Sequence, residues 1–292
     1  MGQIDIKKEI KVASTSTSCL DYYPRFLKNI DLIRIKIHIN NETYIDGETI
    51  KASTFYDMME KDDNLIIKTS QPSVGELVLY FKKIAQEGYK KIFVTTISKK
   101  LSGSYNSVIQ AQKQVKDLIE VIPYDTNTVC FSEGFFALTA QRLFEANTSI
   151  TNVIEQLDFF KKNNTIFFVV NSLNQLINNG RLSRSKSFIG RLFRIKPILQ
   201  VNKKGEIVLI SKKINIDKAF YFIVKKIKNY TKNKKFLIHI LTTGNNILLK
   251  TKLKEILKKE FNLEDVIEVP SSPAVGAHVG NNVVGVGVIL LK

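Results

Sequence analysis

The chain has 292 residues, 44% hydrophobic and 24% charged, with 44 Lys and Arg against 27 Asp and Glu and a net charge of +17. That balance describes a folded globular protein with room for two domains and excludes a disordered one. The longest apolar runs, at residues 165–170 and 283–291, have strand length and fall short of the ~20 residues that span a bilayer.

Residues 1–8 follow their charges with no apolar stretch, which predicts no secretory signal, and Ile6 breaks the myristoylation pattern that Gly2 would open. A hydroxyl-rich run, Val12-Ala13-Ser14-Thr15-Ser16-Thr17-Ser18, comes next. Thr69-Ser70-Gln71-Pro72-Ser73 then opens a helix. Val74, Leu77, Val78, Phe81, Ile84 and Ala85 keep helical spacing, Ser73 and Glu76 form a capping box, and Gly88 ends the element. Residues 91–97 read as a buried strand, followed by Ser98-Lys99-Lys100-Leu101-Ser102-Gly103-Ser104-Tyr105 and a helix over 104–118. A strand at 120–124 and a helix over 132–146 continue the alternation. Repeated strand–helix–strand units of this length predict a parallel sheet covered on both faces, with ligands at the carboxyl ends of its strands.

Helices near 151–162 and 172–179 flank an apolar strand at 166–170. Beyond Arg181 the pattern changes. Residues 197–201 and 206–210 flank Asn202-Lys203-Lys204-Gly205 and predict an antiparallel hairpin. A helix at 217–230, a strand at 235–242, a helix at 246–261 and two closing strands follow. The fold class is α/β: a parallel-sheet domain over 1–160 and an α+β domain over 161–292, sharing a cleft.

Helix starts present unpaired N–H groups and a partial positive charge, so hydroxyls there suit a small anion or carboxylate. Thr69 and Ser102 are the candidates, and each has a plainer reading as a loop or cap residue. His278, between small residues in Gly276-Ala277-His278-Val279-Gly280, can donate one hydrogen bond when neutral and adds a charge when protonated. His38 and His239, inside strands, read as structural. Arg181, after a helix stopped by Gly180, carries a fork of donors suited to phosphate. Asp46, Asp125 and Glu133 read as isolated acids. Cys19 and Cys130 lack ligand spacing and read as free thiols.

Two other classes compete with ligand carriage. The charge invites nucleic-acid binding, yet the lysines are scattered, with no zinc-finger spacing and no RNP-like motif; it equally suits a transient contact with an anionic membrane surface. A serine hydrolase would use Ser102, His278 and a further acid. No P-loop, HExxH or GxSxG motif is present, and no metal site is expected.

The motifs TSQPS at 69–73, LSGSY at 101–105, NGRLS at 179–183, IKPIL at 195–199 and HVG with VGVGV at 278–288 stand in the order of the DegV family, which the chain resembles over nearly its whole length. The resemblance implies a cytoplasmic, non-enzymatic, monomeric carrier without cofactor. It would hold a long-chain fatty acid between its domains and present the carboxylate to a separate fatty acid kinase. Thr69, Ser102, the Gly103 N–H and His278 would grip that carboxylate, and Arg181 would contact the partner or the acyl phosphate. The chain departs from the family where Lys99 follows Ser98, where Asn179 replaces a glycine, where Gly280-Asn281-Asn282 replaces glycine-proline-glycine, and where Ser14 or Thr15 stands in for a strand-end aspartate.

Overall fold

The computed structural model describes residues 9–25, 29–182 and 195–292. Residues 1–8, and Ser183 of the NGRLS motif, lie outside the described residues. Three sheets organise the chain. The first is all parallel and runs β2-β1-β6-β7, from Ile30–Ile33, Ile10–Thr15, Lys91–Thr96 and Glu120–Asp125. Its strands are nearly continuous apolar runs because both faces are covered. Val12 and Phe93 point to one cluster, Ala13, Ile92 and Val94 to the other. The second face receives α2 (Val74–Gln86) and α3 (Ser104–Val115).

The second sheet has six strands in the order β10-β9-β8-β13-β11-β12. They are Ile207–Lys213, Lys196–Val201, Asn164–Val169, Val284–Leu290, Phe236–Thr242 and Ile267–Pro270. The expected hairpin is present, Ile207 facing Val201 across it. Only β11 and β12 run parallel here. One face packs on α7 (Ile216–Thr231) and α8 (Ile247–Phe261). The other face shares a core with the first sheet through α4 (Phe131–Glu145) and α5 (Ile150–Lys162), whose Phe136, Ala140, Leu157 and Phe160 join Phe93 on one side and Ile166 and Leu199 on the other. Those two helices are therefore a common filling between the sheets.

A third, antiparallel sheet was not legible in the sequence. It runs β4-β3-β5 from Glu42–Ile45, Lys36–Ile39 and Ile67–Ser70, and packs on α1 (Ala52–Lys61) and α9 (Pro273–Val279). The remaining helix, α6, spans Asn174–Asn178.

The capping box forms as the sequence predicts. Ser73 Oγ accepts the Glu76 N–H at 3.2 Å while Glu76 Oε2 accepts the Ser73 N–H at 3.0 Å. Ser73→Ala is expected to cost about 1 kcal/mol of stability, read as a lowered urea midpoint with an unchanged m-value.

Candidate functional site

The carboxyl ends of β1 and β6, the end of β5, and α9 meet around a cavity of about 250 Å³. Thr69, Ser102, Arg181 and His278 all line it, together with Thr17 and apolar residues including Ile35, Ile97, Leu101 and Val275. The four residues come from segments up to 209 positions apart, and the fold brings them to one wall. Gly103 does not line the cavity. It N-caps α3, and a Cβ there would lie 1.9 Å from Gln71 Oε1, so a side chain at this position would displace the Gln71 amide from its place against the helix start. Gln71 is in turn held by its Nε2 donating to Ser107 Oγ at 2.8 Å.

Thr69 sits on the edge strand β5 and its Oγ1 is 2.7 Å from His278 Nε2. His278 stands in the last turn of α9. The helix starts from Ser272 with Pro273 in its first turn and stops at Gly280, whose φ of 89° a side chain would resist. Asn282 takes φ 60°, so the Gly-Asn-Asn turn closes with asparagine in the left-handed region. Burial, and then the charge of Arg181, lower the His278 pKa to about 4, so the ring is neutral at pH 7. Its Nδ1 is buried without a partner among the described residues. A bare nitrogen there costs less than a buried N–H with no acceptor, which places the proton on Nε2, donating to Thr69. The Thr69 hydroxyl hydrogen is then free for a ligand.

Arg181 is half-buried. Its Nε donates to the Leu101 carbonyl at 3.2 Å and its Nη1 to the Asn179 carbonyl. No carboxylate is among the lining residues, so a guanidinium, a neutral imidazole and several hydroxyls face an otherwise apolar cavity. Such a wall accepts an anion attached to an apolar body.

Ser102 plays the capping part as well: its Oγ accepts the Ser104 N–H at 3.2 Å and pairs with Ser104 Oγ at 2.9 Å. The hydrolase constellation is not assembled. His278 bonds to Thr69 rather than Ser102, and among the described residues no carboxylate orients its Nδ1. Ser98 is buried and donates to the Gly205 carbonyl at 2.8 Å, tying the β9–β10 turn to the first sheet. Lys99 pairs with Asp125 at 3.7 Å and does not line the cavity. His38 and His239 sit in β3 and β11; burial lowers the His239 pKa to about 3.

The hydroxyl run after β1 is buried, and it corrects the reading of the acids as isolated. Ser16 Oγ donates to Asp46 Oδ2 at 2.6 Å, and the Ala274 N–H at the start of α9 reaches Asp46 Oδ1 at 3.4 Å. Burial raises the Asp46 pKa to about 6. Glu133, in the first turn of α4, takes the hydroxyls of Thr15 and Thr17. Thr17 was not singled out as a lining residue; the signal was the alternation of hydroxyls at a strand end, with no indication of which would face a ligand. Glu133 could have been found as the one acid in the first ten residues of α4, which are otherwise apolar or small.

The sequence model described as "Uncharacterised protein, DegV family" matches residues 9–291. The chain is a member of the DegV family. A DegV domain-containing protein of Staphylococcus aureus is 27% identical over 278 residues, covering 95% of this chain and 98% of that protein. One from Halalkalibacterium halodurans is 29% identical over 284 residues, covering 95% and 97%. The crystal structure of DegV, a fatty acid binding protein from Bacillus subtilis, superposes with a TM-score of 0.84 at 26% identity, covering 97% of this chain and 100% of that one. A stearic acid-binding protein from Eubacterium ventriosum gives a TM-score of 0.86 at 22% identity, covering 96% and 98%, and shares the DegV fold. Among the described residues no helix is long and apolar enough to cross a membrane, and no group of three His, Cys, Asp or Glu could hold a metal ion.

Proposed function

We propose that this DegV-family chain binds a long-chain fatty acid as a non-catalytic carrier and presents its carboxylate to a partner fatty acid kinase. The observation that carries the reading is the wall itself: Thr69 hydrogen-bonded to a neutral His278, with Ser102 and Arg181 beside them and no acid in the lining. The binding of fatty acids by the Bacillus subtilis relative supports the same ligand class. Each buried CH₂ contributes about 0.8 kcal/mol, so the tail supplies most of the affinity and the head-group contacts set the orientation. Orientation is what a kinase requires, since it must reach one carboxylate oxygen while the tail stays out of water.

The experiment is to denature freshly purified protein, extract it with organic solvent and identify released lipid by mass spectrometry. The expected result is one fatty acid per chain, with a Thr69→Ala/Ser102→Ala variant that still folds retaining much less. Absence of lipid from the wild-type protein, with no uptake of added oleate, would remove the carrier reading. Addition of a fatty acid kinase and ATP to the loaded protein should then yield acyl phosphate, and the protein alone should yield none.

A further inference from the structure

Glu133 lies wholly inside the protein, yet among the described residues no cation meets its carboxyl group. Three hydroxyls do. Thr15 Oγ1 contacts Oε1, Thr17 Oγ1 lies 2.8 Å from Oε2, and Ser14 Oγ lies 3.5 Å from Oε1. Thr15 Oγ1 and Thr17 Oγ1 are themselves 2.8 Å apart, so Glu133, Thr15 and Thr17 close a triangle of three contacts. Each contact requires one hydrogen. The two threonines bring one each, and the Ile97 N–H at 3.1 Å occupies a further acceptor position on Thr15 without serving the triangle. An ionised Glu133 would leave one side of the triangle as two oxygens facing each other with nothing between them. A neutral Glu133 supplies the missing hydrogen.

The surroundings agree with the count. Burial drives the Glu133 pKa well above its ordinary value, against the opposing pull of the hydroxyls. The ionisable groups around Glu133 and its neighbours are thiols, an acid, one imidazole and the phenol of Tyr56, which burial holds neutral. Cys130, at the start of the same helix, acts in the same raising direction. Cys19, between the two short turns after β1, is itself held neutral by burial. Asp46 is engaged by Ser16 on the far side of the hydroxyl run, and His239 on β11 meets Ser132 and Phe131. β13, which also packs on α4, carries no ionisable side chain.

We propose that Glu133 is kept as a neutral carboxylic acid and acts as a positioning residue for the cavity, its O–H satisfying the threonine pair so that the Thr17 hydroxyl can donate to a bound carboxylate. The proposal rests on the carboxylate-binding reading of the cavity. With Glu133 neutral and no ligand, its proton goes to Thr17 Oγ1, the Thr17 hydrogen to Thr15 and the Thr15 hydrogen back to Glu133; a bound carboxylate takes the Thr17 hydrogen away from Thr15, giving up that one contact while Glu133 still donates to Thr17. With Glu133 ionised, both threonine hydrogens are drawn onto it, and a second negative charge stands behind the first.

The test follows oleate affinity and, without ligand, urea unfolding from about pH 6 to about pH 9 for the wild-type protein and Glu133→Gln, whose amide N–H can replace the acid O–H. His278 titrates below that range. A folded-state pKa above the unfolded value means that stability is lost as pH rises through it, because the unfolded chain ionises first. The wild-type protein should therefore lose stability and, roughly fivefold or more, oleate affinity toward high pH relative to the variant. The variant should hold wild-type affinity at the low end. Equal slopes in the two proteins, or loss of oleate binding by Glu133→Gln at pH 6, would overturn the proposal. If the variant fails to fold, the infrared spectrum of the wild-type protein decides: a neutral-carboxyl C=O stretch that Glu-specific isotope labelling shifts supports the proposal, and its absence at pH 7 overturns it. A wild-type protein that binds no oleate at any pH refutes the cavity reading and the positioning role together, while the unfolding series still reports the protonation state separately.

Discussion

Thr69→Val is expected to weaken oleate binding roughly ten- to hundredfold, the loss that follows from removing one hydrogen bond to a charged ligand group. Valine keeps the shape of threonine and suits the edge strand β5, so the fold should survive. What disappears is the partner that His278 Nε2 has among the described residues, at 2.7 Å, and the hydroxyl hydrogen that the imidazole leaves free. The ring should then lose its fixed tautomer, since neither nitrogen would keep a protein partner among the described residues. Isothermal titration with oleate measures the first effect. Nitrogen chemical shifts of the His278 ring measure the second, and they should move in Thr69→Val while those of His239 stay. An unchanged oleate affinity would place the carboxylate elsewhere in the cavity.

Gly276→Ala is expected to damage stability and binding together. The added Cβ would lie 2.5 Å from Tyr56 Cε1 and Oη, inside any tolerable contact. Tyr56 cannot swing aside cheaply, because it is buried and its hydroxyl donates to the Ser271 carbonyl at 3.0 Å just before α9. Overpacking of this kind typically costs about 1–3 kcal/mol. Either Tyr56 or α9 must shift, and α9 carries His278. Gly75, in the first turn of α2, has nothing within 4 Å of its would-be Cβ, so Gly75→Ala is the control and should leave both properties intact or raise stability slightly. Urea midpoints and oleate titrations on the two variants separate the cases.

How much of this was legible in the sequence follows from range. The capping box at Ser73 and Glu76 spans three positions, and it formed as read. Two strands of the first sheet, β6 and β7, announced themselves as apolar runs between helical periods, and the hairpin of β9 and β10 by its Asn-Lys-Lys-Gly turn, whereas β1, with its hydroxyl-rich end, and the four-residue β2 did not. The sheet of β3, β4 and β5 did not, because its strands are four residues long and mix charges with isoleucines. α9 escaped for a different reason: seven residues with an internal glycine carry too little periodicity, and its stability comes from packing on the third sheet. The site residues Thr69, Ser102, Arg181 and His278 were named from motifs, and they line one cavity. Gly103 was named for its N–H and proved to matter for the space it leaves to Gln71. The pairing of Thr15 with Glu133 spans 118 positions, a relation that no local pattern expresses.

The position of β13 has a consequence for biosynthesis. This strand follows β8, β9, β10, β11 and β12 in the chain, yet it lies between β8 and β11 and pairs with both. A chain still attached to the ribosome can assemble the first sheet, whose strands all end by Asp125, but it cannot join β8–β10 to β11–β12 until residues 284–290 emerge. Until then two apolar strand edges stand open to other chains. Completion of the second sheet therefore waits for residues 284–290, and a nascent chain truncated before Val284 should be the species that chaperones retain.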